Sequence, residues 1–265
     1  MKSSDVTELE KEMFEQDGFL IVKNLFSNEE MDFLKEHFMG IHAAGPIPGH
    51  FQPVSEEDSE GDMLKRYPRI LHPHKFDQIS MKYMLDLRVF TVLRRLLGEE
   101  ALAAQSMFYF KPPGGKGQAL HQDNFYLKVE PGTCIAAWTA VDASNEENGG
   151  LFIVPNTQRS ELQCPHEANP SVSFTREEVD IPVGLSPVPT SLESGDVLFF
   201  NGNVIHGSYP NCSKGRFRRS FICHYTGISS TKIGDYYQPL YKQDGTPVTT
   251  IAANQSAGPC GTDYK

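Results

Sequence analysis

Apolar positions in the first hundred residues fall into helical and extended rhythms by turns. Leu9, Met13 and Phe14 stand at helical spacing and predict a short helix from Ser4 to Phe14. The turn Asp17-Gly18 then gives way to Phe19-Leu20-Ile21-Val22, an apolar run that reads as a strand. Ser27 is followed by Glu30 and by Met31, Leu34 and Phe38, the signature of a capped helix with one buried face. Residues 43–61 are rich in proline, glycine and acid and have no period, so they predict a loop or lid. From Met81 to Leu97 the positions Met84, Leu85, Val89, Val92, Leu93 and Leu96 follow a helical repeat that stops at Gly98, and a single helix is expected.

The character changes after Leu102. Short runs rich in β-branched and aromatic residues alternate with turns: Ser106–Phe110, Cys134–Val141, Leu151–Val154, Asp196–Phe200 and Arg219–Tyr225. Many short strands with frequent turns predict a sandwich or barrel. No internal repeat or low-complexity tract interrupts the chain. The expected organisation is one domain over residues 1–265: a mostly helical preface over 1–100 with a lid loop at 43–74, a β core over 101–228 and an irregular tail over 229–265.

Hydrophobic residues make up 39% of the 265 and charged residues 22%, an ordinary globular balance. The formal net charge of −10 repels phosphate backbones and anionic lipid headgroups, so neither nucleic acid nor a membrane is an expected partner. The first residues are polar and acidic, without the apolar stretch of a secretory signal. No window approaches the ~20 apolar residues of a membrane span. Five cysteines, an odd number with no C-x-x-C pair, suggest reduced thiols in a cytoplasmic protein rather than a zinc site or disulfide framework.

The chemistry concentrates in Ala119-Leu120-His121-Gln122-Asp123-Asn124-Phe125-Tyr126. On a strand, residues two apart share a face, so His121 and Asp123 present an imidazole and a carboxylate side by side. Non-haem iron(II) oxygenases need two histidines and one carboxylate on one face of the metal, with the other face open. The best third ligand is His206, 83 residues beyond Asp123, where a Gly-Asp turn and an apolar strand end in His206-Gly207-Ser208. It is expected on a strand at the opposite side of the barrel. His72 and His74 could line a pocket, and His224 reads as a satisfied core or pocket residue. Downstream, Phe217-Arg218-Arg219 offers a guanidinium suited to clamping a carboxylate. Alternation lets only one of the two arginines face inward.

Taken in order, these motifs resemble the phytanoyl-CoA dioxygenase family of 2-oxoglutarate oxygenases. The resemblance runs from Asp17-Gly18-Phe19 to His224 and rests on several segments. They are Met107 with Lys111-Pro112-Pro113, His121-Gln122-Asp123, Trp138-Thr139-Ala140, Asn148-Gly149-Gly150-Leu151, Pro155-Asn156-Thr157, His206-Gly207-Ser208 and Phe217-Arg218. It implies a double-stranded β-helix, the cupin-like jelly roll, with flanking N-terminal helices. It implies Fe(II) held by His121, Asp123 and His206, and 2-oxoglutarate as co-substrate with its distal carboxylate on Arg218. Ser208, Trp138, Met107 and Gln105 match positions around the co-substrate, and Arg69 matches a basic residue near it. The turn before Arg218 is one residue longer than the family pattern. Asn156 stands where the family has glycine, and asparagine also tolerates a left-handed backbone.

The implied reaction consumes dioxygen and hydroxylates a small-molecule metabolite, releasing succinate and CO2. Family members that halogenate have a small residue in place of the carboxylate, so Asp123 implies oxygenation. A cupin-type metalloenzyme that does not use 2-oxoglutarate, and an inactive jelly-roll binding protein, are the competing readings. The region 43–74 and the tail 246–265 are expected to shape the substrate pocket. No basic cluster marks a CoA nucleotide, and nothing in the chain specifies an oligomeric state.

Overall fold

A computed structural model describes residues 6–256 and 258–261. Ser4, the expected start of the first helix, lies outside them. The helix runs Glu8–Asp17, capped reciprocally by Thr7 and Glu10, and Gly18 ends it in a left-handed conformation. The chain then enters the strand Phe19–Val22. Ser27 and Glu30 form the expected capping box of the helix Asn28–Ala43, whose Met31, Leu34 and Phe38 are fully buried.

The single helix expected over 81–97 is two, Gln78–Met84 and Leu87–Leu97. The apolar repeat continues across the break because both helices bury residues in the same core. Asp86 makes the break: its carboxylate accepts from the Arg88 backbone N–H at 2.9 Å, starting a new helix where the periodicity alone shows none. The lid region is also more ordered than expected. It holds the short helices Glu56–Ser59 and Met63–Arg66, and Arg69–Leu71 is a strand.

Two sheets make the body. The larger has eight strands. Phe19–Val22 lies beside Val197–Asn201, followed by Ile135–Ala140, Ser220–Gly227, Ala101–Tyr109, Leu240–Tyr241 and Pro247–Val248, with Arg69–Leu71 also paired to Ala101–Tyr109. The smaller runs Gln118–His121, His206–Ser208, Leu151–Ile153, Val188–Pro189. All pairings in both sheets are antiparallel. The preface therefore supplies strands as well as helices, and the tail expected to be irregular closes one side of the large sheet. The arrangement is the expected jelly roll.

Strand alternation divides the core. Met107, Trp138, Leu198, Phe200 and Ile222 from the large sheet meet Leu151 and Ile153 of the small one, filling the interior. Phe108, Phe199, Phe221 and Tyr225 point to the other face and pack under the helices with Phe38, Met84 and Val92. Phe38 stacks on Phe108 with ring centroids 3.9 Å apart. Asn156 adopts φ +66°, the left-handed backbone that asparagine can take in place of glycine.

One expectation on cysteines is corrected. Cys164 and Cys260 form a disulfide, their Cα atoms 5.1 Å apart, while Cys134, Cys212 and Cys223 are free. The pair is 96 residues apart in sequence, so local spacing could not reveal it. No helix among the described residues is long and apolar enough to cross a membrane.

Phe38→Ala would open a cavity between the second helix and the large sheet. It is expected to lower unfolding stability by about 3–5 kcal/mol, read by urea denaturation. A loss below about 1 kcal/mol would show that the helix does not depend on this contact.

Candidate active site

His121 is the last residue of the strand Gln118–His121, and His206 is the first of His206–Ser208. The two strands are neighbours, and the register places His206 directly opposite His121. The third ligand thus comes from the adjacent strand, not from the far side of the barrel. The imidazole centroids are 4.2 Å apart. Asp123 is also placed differently from expectation: it opens the five-residue helix Asp123–Leu127 and does not lie on the strand. Gln122 keeps an extended backbone, φ −121° and ψ 120°, so the two-residue relation between His121 and Asp123 survives the change of element. The Asn124 N–H donates to Gly202 O at 2.8 Å and pins that corner.

Each histidine hydrogen-bonds a backbone carbonyl two residues earlier through Nδ1: His121 to Ala119 O at 2.8 Å, His206 to Val204 O at 3.0 Å. These bonds fix the rings and assign the Nδ1–H tautomer, leaving both Nε2 lone pairs as potential ligands. The two Nε2 atoms lie 3.5 and 3.7 Å from oxygens of Asp123, too long for good hydrogen bonds. All three donor atoms lie within 4.8 Å of one another, as ligands around one ion do. Gln118 Nε2 is 3.1 Å from His121 Nε2, a contact that a metal ion would replace. Burial pushes the Asp123 carboxyl up, but the surrounding His206, His224 and His121 imidazoles pull it down, and it stays well below the ordinary carboxylate range. Burial, with His121 nearby, pushes His206 down to about 4, keeping its imidazole neutral and ligand-ready. This donor set, with the backbone carbonyls that orient both imidazoles, fits iron(II).

From the triad a cavity of about 310 Å³ leads across the interior face of the large sheet. Its far end is cationic. Arg218 is 2% exposed and donates from Nε to Gly149 O (2.9 Å) and from Nη1 to Ser220 Oγ (2.9 Å). Its guanidinium lies 5.5 Å from the Trp138 ring centroid. Burial lowers Arg218 to about 10, so it is still charged at neutral pH. No carboxylate among the described residues pairs with it. Lys111 is buried beside it and donates to Ser208 Oγ (2.7 Å), Tyr209 O (2.7 Å) and Gly149 O (3.2 Å). Burial, then Arg218, drives the lysine well below its usual range. Gly149 has φ +88°, and a Cβ there would come within 2.6 Å of Lys111 Cδ, so only glycine lets its carbonyl receive both cations. Arg219 points the other way and forms two hydrogen bonds with Asp142, at 2.7 and 2.9 Å.

The remaining residues singled out in the sequence also line this cavity: Arg69, Gln105, Met107, Trp138 and Ser208. Arg69 and Arg218 both lie about 6 Å from the Tyr109 ring centroid, and Arg69 is bonded to Tyr109 Oη (3.3 Å) and Gln52 Oε1 (3.1 Å). Tyr126, Glu177 and Tyr236 add further polar groups, and Tyr126 donates to Glu177 at 2.7 Å. Residues 43–74 contribute Gln52, Arg69 and Leu71 as expected, but no described residue from 246 onward lines the cavity. Tyr236 and Tyr237 do so, together with Thr175 and Glu177 from the long excursion between Val154 and Asp196. Sequence reading gave Lys111 no role, although it opens the quoted Lys-Pro-Pro. His224 lines the cavity, as a core or pocket residue should, but its bond to Asp123 is not visible in the sequence. His224 lies two positions from Ile222 on the strand Ser220–Gly227, so the two share the inward face.

The family model described as phytanoyl-CoA dioxygenase (PhyH) matches residues 14–220. Bovine peroxisomal phytanoyl-CoA dioxygenase is 29% identical over 84% of this chain and 70% of its own. The ectoine dioxygenase of Bordetella bronchiseptica is 28% identical over 76% of this chain and 69% of its own. Among solved structures, the non-haem α-ketoglutarate-dependent epimerase SnoN of nogalamycin biosynthesis superposes with a TM-score of 0.68 at 14% identity, covering 93% of this chain and 94% of that one. EctD from S. alaskensis, solved with 2-oxoglutarate and 5-hydroxyectoine, gives 0.67 at 21% identity over 96% of this chain and 86% of that one.

Anaerobic titration is expected to give about one iron(II) per chain, since three donors define one facial site. Alanine at His121, Asp123 or His206 should weaken binding by more than the roughly 10–100-fold typical of losing a supporting partner, with the far-UV circular dichroism unchanged. Undiminished binding in these variants would remove the metal centre from this position.

Proposed function

Because the chain belongs to the phytanoyl-CoA dioxygenase family, we propose that His121, Asp123 and His206 carry its Fe(II)- and 2-oxoglutarate-dependent oxygenation, with Arg218 holding the co-substrate. The reaction class is that of a 2-oxoglutarate-dependent hydroxylase acting on a small molecule. The observation that carries the residue assignment is the pairing, in one cavity, of a three-donor cluster with a buried guanidinium that forms no ion pair among the described residues.

Iron and 2-oxoglutarate, when bound, supply the oxidising chemistry: the oxo acid becomes succinate and CO2 with one oxygen atom of O2, and the substrate takes the other. The chain supplies orientation. Among the described residues the Arg218 nitrogen Nη2 has no hydrogen-bond partner, and a bidentate carboxylate would use it. Ser208 Oγ already accepts from Lys111 Nζ (2.7 Å) and from the Gln118 N–H (3.1 Å). Its own hydroxyl proton is therefore free to donate to that carboxylate. Trp138, Met107 and Gln105 wall the co-substrate, and Arg69, bonded to Tyr109, completes the set. Burial excludes water and strengthens each of these interactions.

The substrate itself is proposed to lie towards Tyr126, Glu177 and Tyr236, where the lining is polar and aromatic. The expected cytoplasmic location belongs to this proposal: three thiols are free, while the Cys164–Cys260 disulfide suits a more oxidising compartment.

Arg218→Ala is expected to raise the KM for 2-oxoglutarate at least about 30-fold, since truncating one partner of a buried charge pair costs about 2–5 kcal/mol. Lysine at 218 should rescue in part, being a point charge without the fork. Arg219→Ala should leave that KM within about threefold, because its partner Asp142 lies outside the cavity. A larger defect at 219 than at 218 would reverse the assignment. No stimulation of succinate formation by iron and 2-oxoglutarate would favour a metalloenzyme of another kind.

Product outcome is a separate expectation. With labelled dioxygen and high chloride, mass spectrometry should find heavy oxygen and no chlorine in the product. Asp123 fills the position a halide needs and lowers the positive charge that would attract one. A chlorinated product would overturn this role of Asp123.

A further inference from the structure

The carboxylate of Asp123 has a third neighbour besides the two histidines that complete the cluster. His224 Nε2 lies 2.9 Å from Asp123 Oδ2, a hydrogen-bond distance, whereas His206 Nε2 is 3.7 Å from the same oxygen and His121 Nε2 is 3.5 Å from Oδ1. Only His224 bonds the carboxylate in the ordinary sense. Its side chain is 2% exposed and its Nδ1 has no partner, so the imidazole carries its proton on Nε2 and donates to Asp123.

The fold provides for this contact. His224 follows Arg218 and Ile222 along the inward face of one chain segment. On one side its strand neighbour is Ala136, whose small side chain leaves room for the ring. On the other the register shifts between His224 and Tyr225, opposite Gln105 and Ala103, a bulge that re-aims side chains at this point. Asp123 itself has little else to fix it. It begins a five-residue helix whose N-cap, Gln122, makes no side-chain capping bond.

We propose that His224 is a positioning residue that holds Asp123 as a one-oxygen ligand. A carboxylate with both oxygens free can close on a metal ion through both and occupy two coordination positions. With Oδ2 engaged by the His224 N–H, Oδ1 remains as the ligand, and the second position stays open towards the cavity. His224 thus sets how many sites the metal offers to the co-substrate and dioxygen, without touching the ion. This inference rests on the metal-centre assignment made above.

The test uses cobalt(II), whose visible absorption reports coordination number, on the full-length protein. His224→Leu keeps bulk without a donor; His224→Gln places an amide N–H close to where Nε2 stood. The leucine variant is expected to bind cobalt(II) about 10–100-fold more weakly. Its visible bands should be weaker per ion, as higher coordination gives. The glutamine variant should bind within about threefold of wild type and keep the wild-type spectrum. Circular dichroism and thermal midpoints of the metal-free proteins check that both fold. Wild-type affinity and spectrum in the leucine variant overturn the proposal. So does a glutamine variant as impaired as the leucine one, since the shape of the ring would then matter and not its N–H. Wild-type cobalt binding in His121→Ala would instead remove the metal centre itself, a failure distinguishable from that of His224.

Discussion

The register that sets His206 opposite His121 is the constraint on which the site depends. Antiparallel neighbours turn side chains at paired positions to the same face, and the two rings need no loop to bring them together. Each ring is then locked by its own strand through the carbonyl two residues earlier. The carboxylate arrives where the first strand stops and a short helix begins. Every other feature of the cavity is measured from this corner: the large sheet runs from it towards Arg218, and the inward residues of that sheet become the walls.

Charge is arranged to oppose the exterior. The chain carries a net −10, yet its interior holds a lysine and an arginine side by side. Burial lowers the pKa of both, and the charge of Arg218 lowers that of Lys111 further. Lys111 is compensated by three oxygen acceptors. Arg218 is compensated only in part, by one carbonyl and one hydroxyl. The remaining imbalance favours an anion at one point of the cavity, while the acidic surface discourages anions elsewhere.

Where a local pattern determines structure, the sequence is legible. The capping box of Ser27 and Glu30, the buried trio of Met31, Leu34 and Phe38, and the short strands after residue 101 all follow from spacing. His121, Asp123 and His206 stand out by their spacing, and the fold brings their donor atoms within 4.8 Å of one another. What escaped depends on tertiary contact. Asp86 splits a helix that periodicity joins. The partner strand of His206 cannot be known before the sheet is built. Cys164 and Cys260 meet across 96 residues. His224 was passed over because a lone histidine in an apolar run is most often core, and its bond to Asp123 spans 101 positions of sequence.

The long excursion between Val154 and Asp196 pairs with Leu151–Ile153 through Val188–Pro189, bonds the strand of His121 through Gly117–Ser173 and the Val179 N–H on Leu120 O (3.0 Å), and sends Thr175 and Glu177 into the cavity. The triad lies outside it: His121 and Asp123 precede it, and His206 follows on a strand paired independently of its length. Changes in the length of the segment would pull on the strand of His121, whose edge its backbone bonds. Thr175 and Glu177 are different: they enter the cavity as side chains. Replacing them reshapes that wall and leaves the three donors of the cluster where they are.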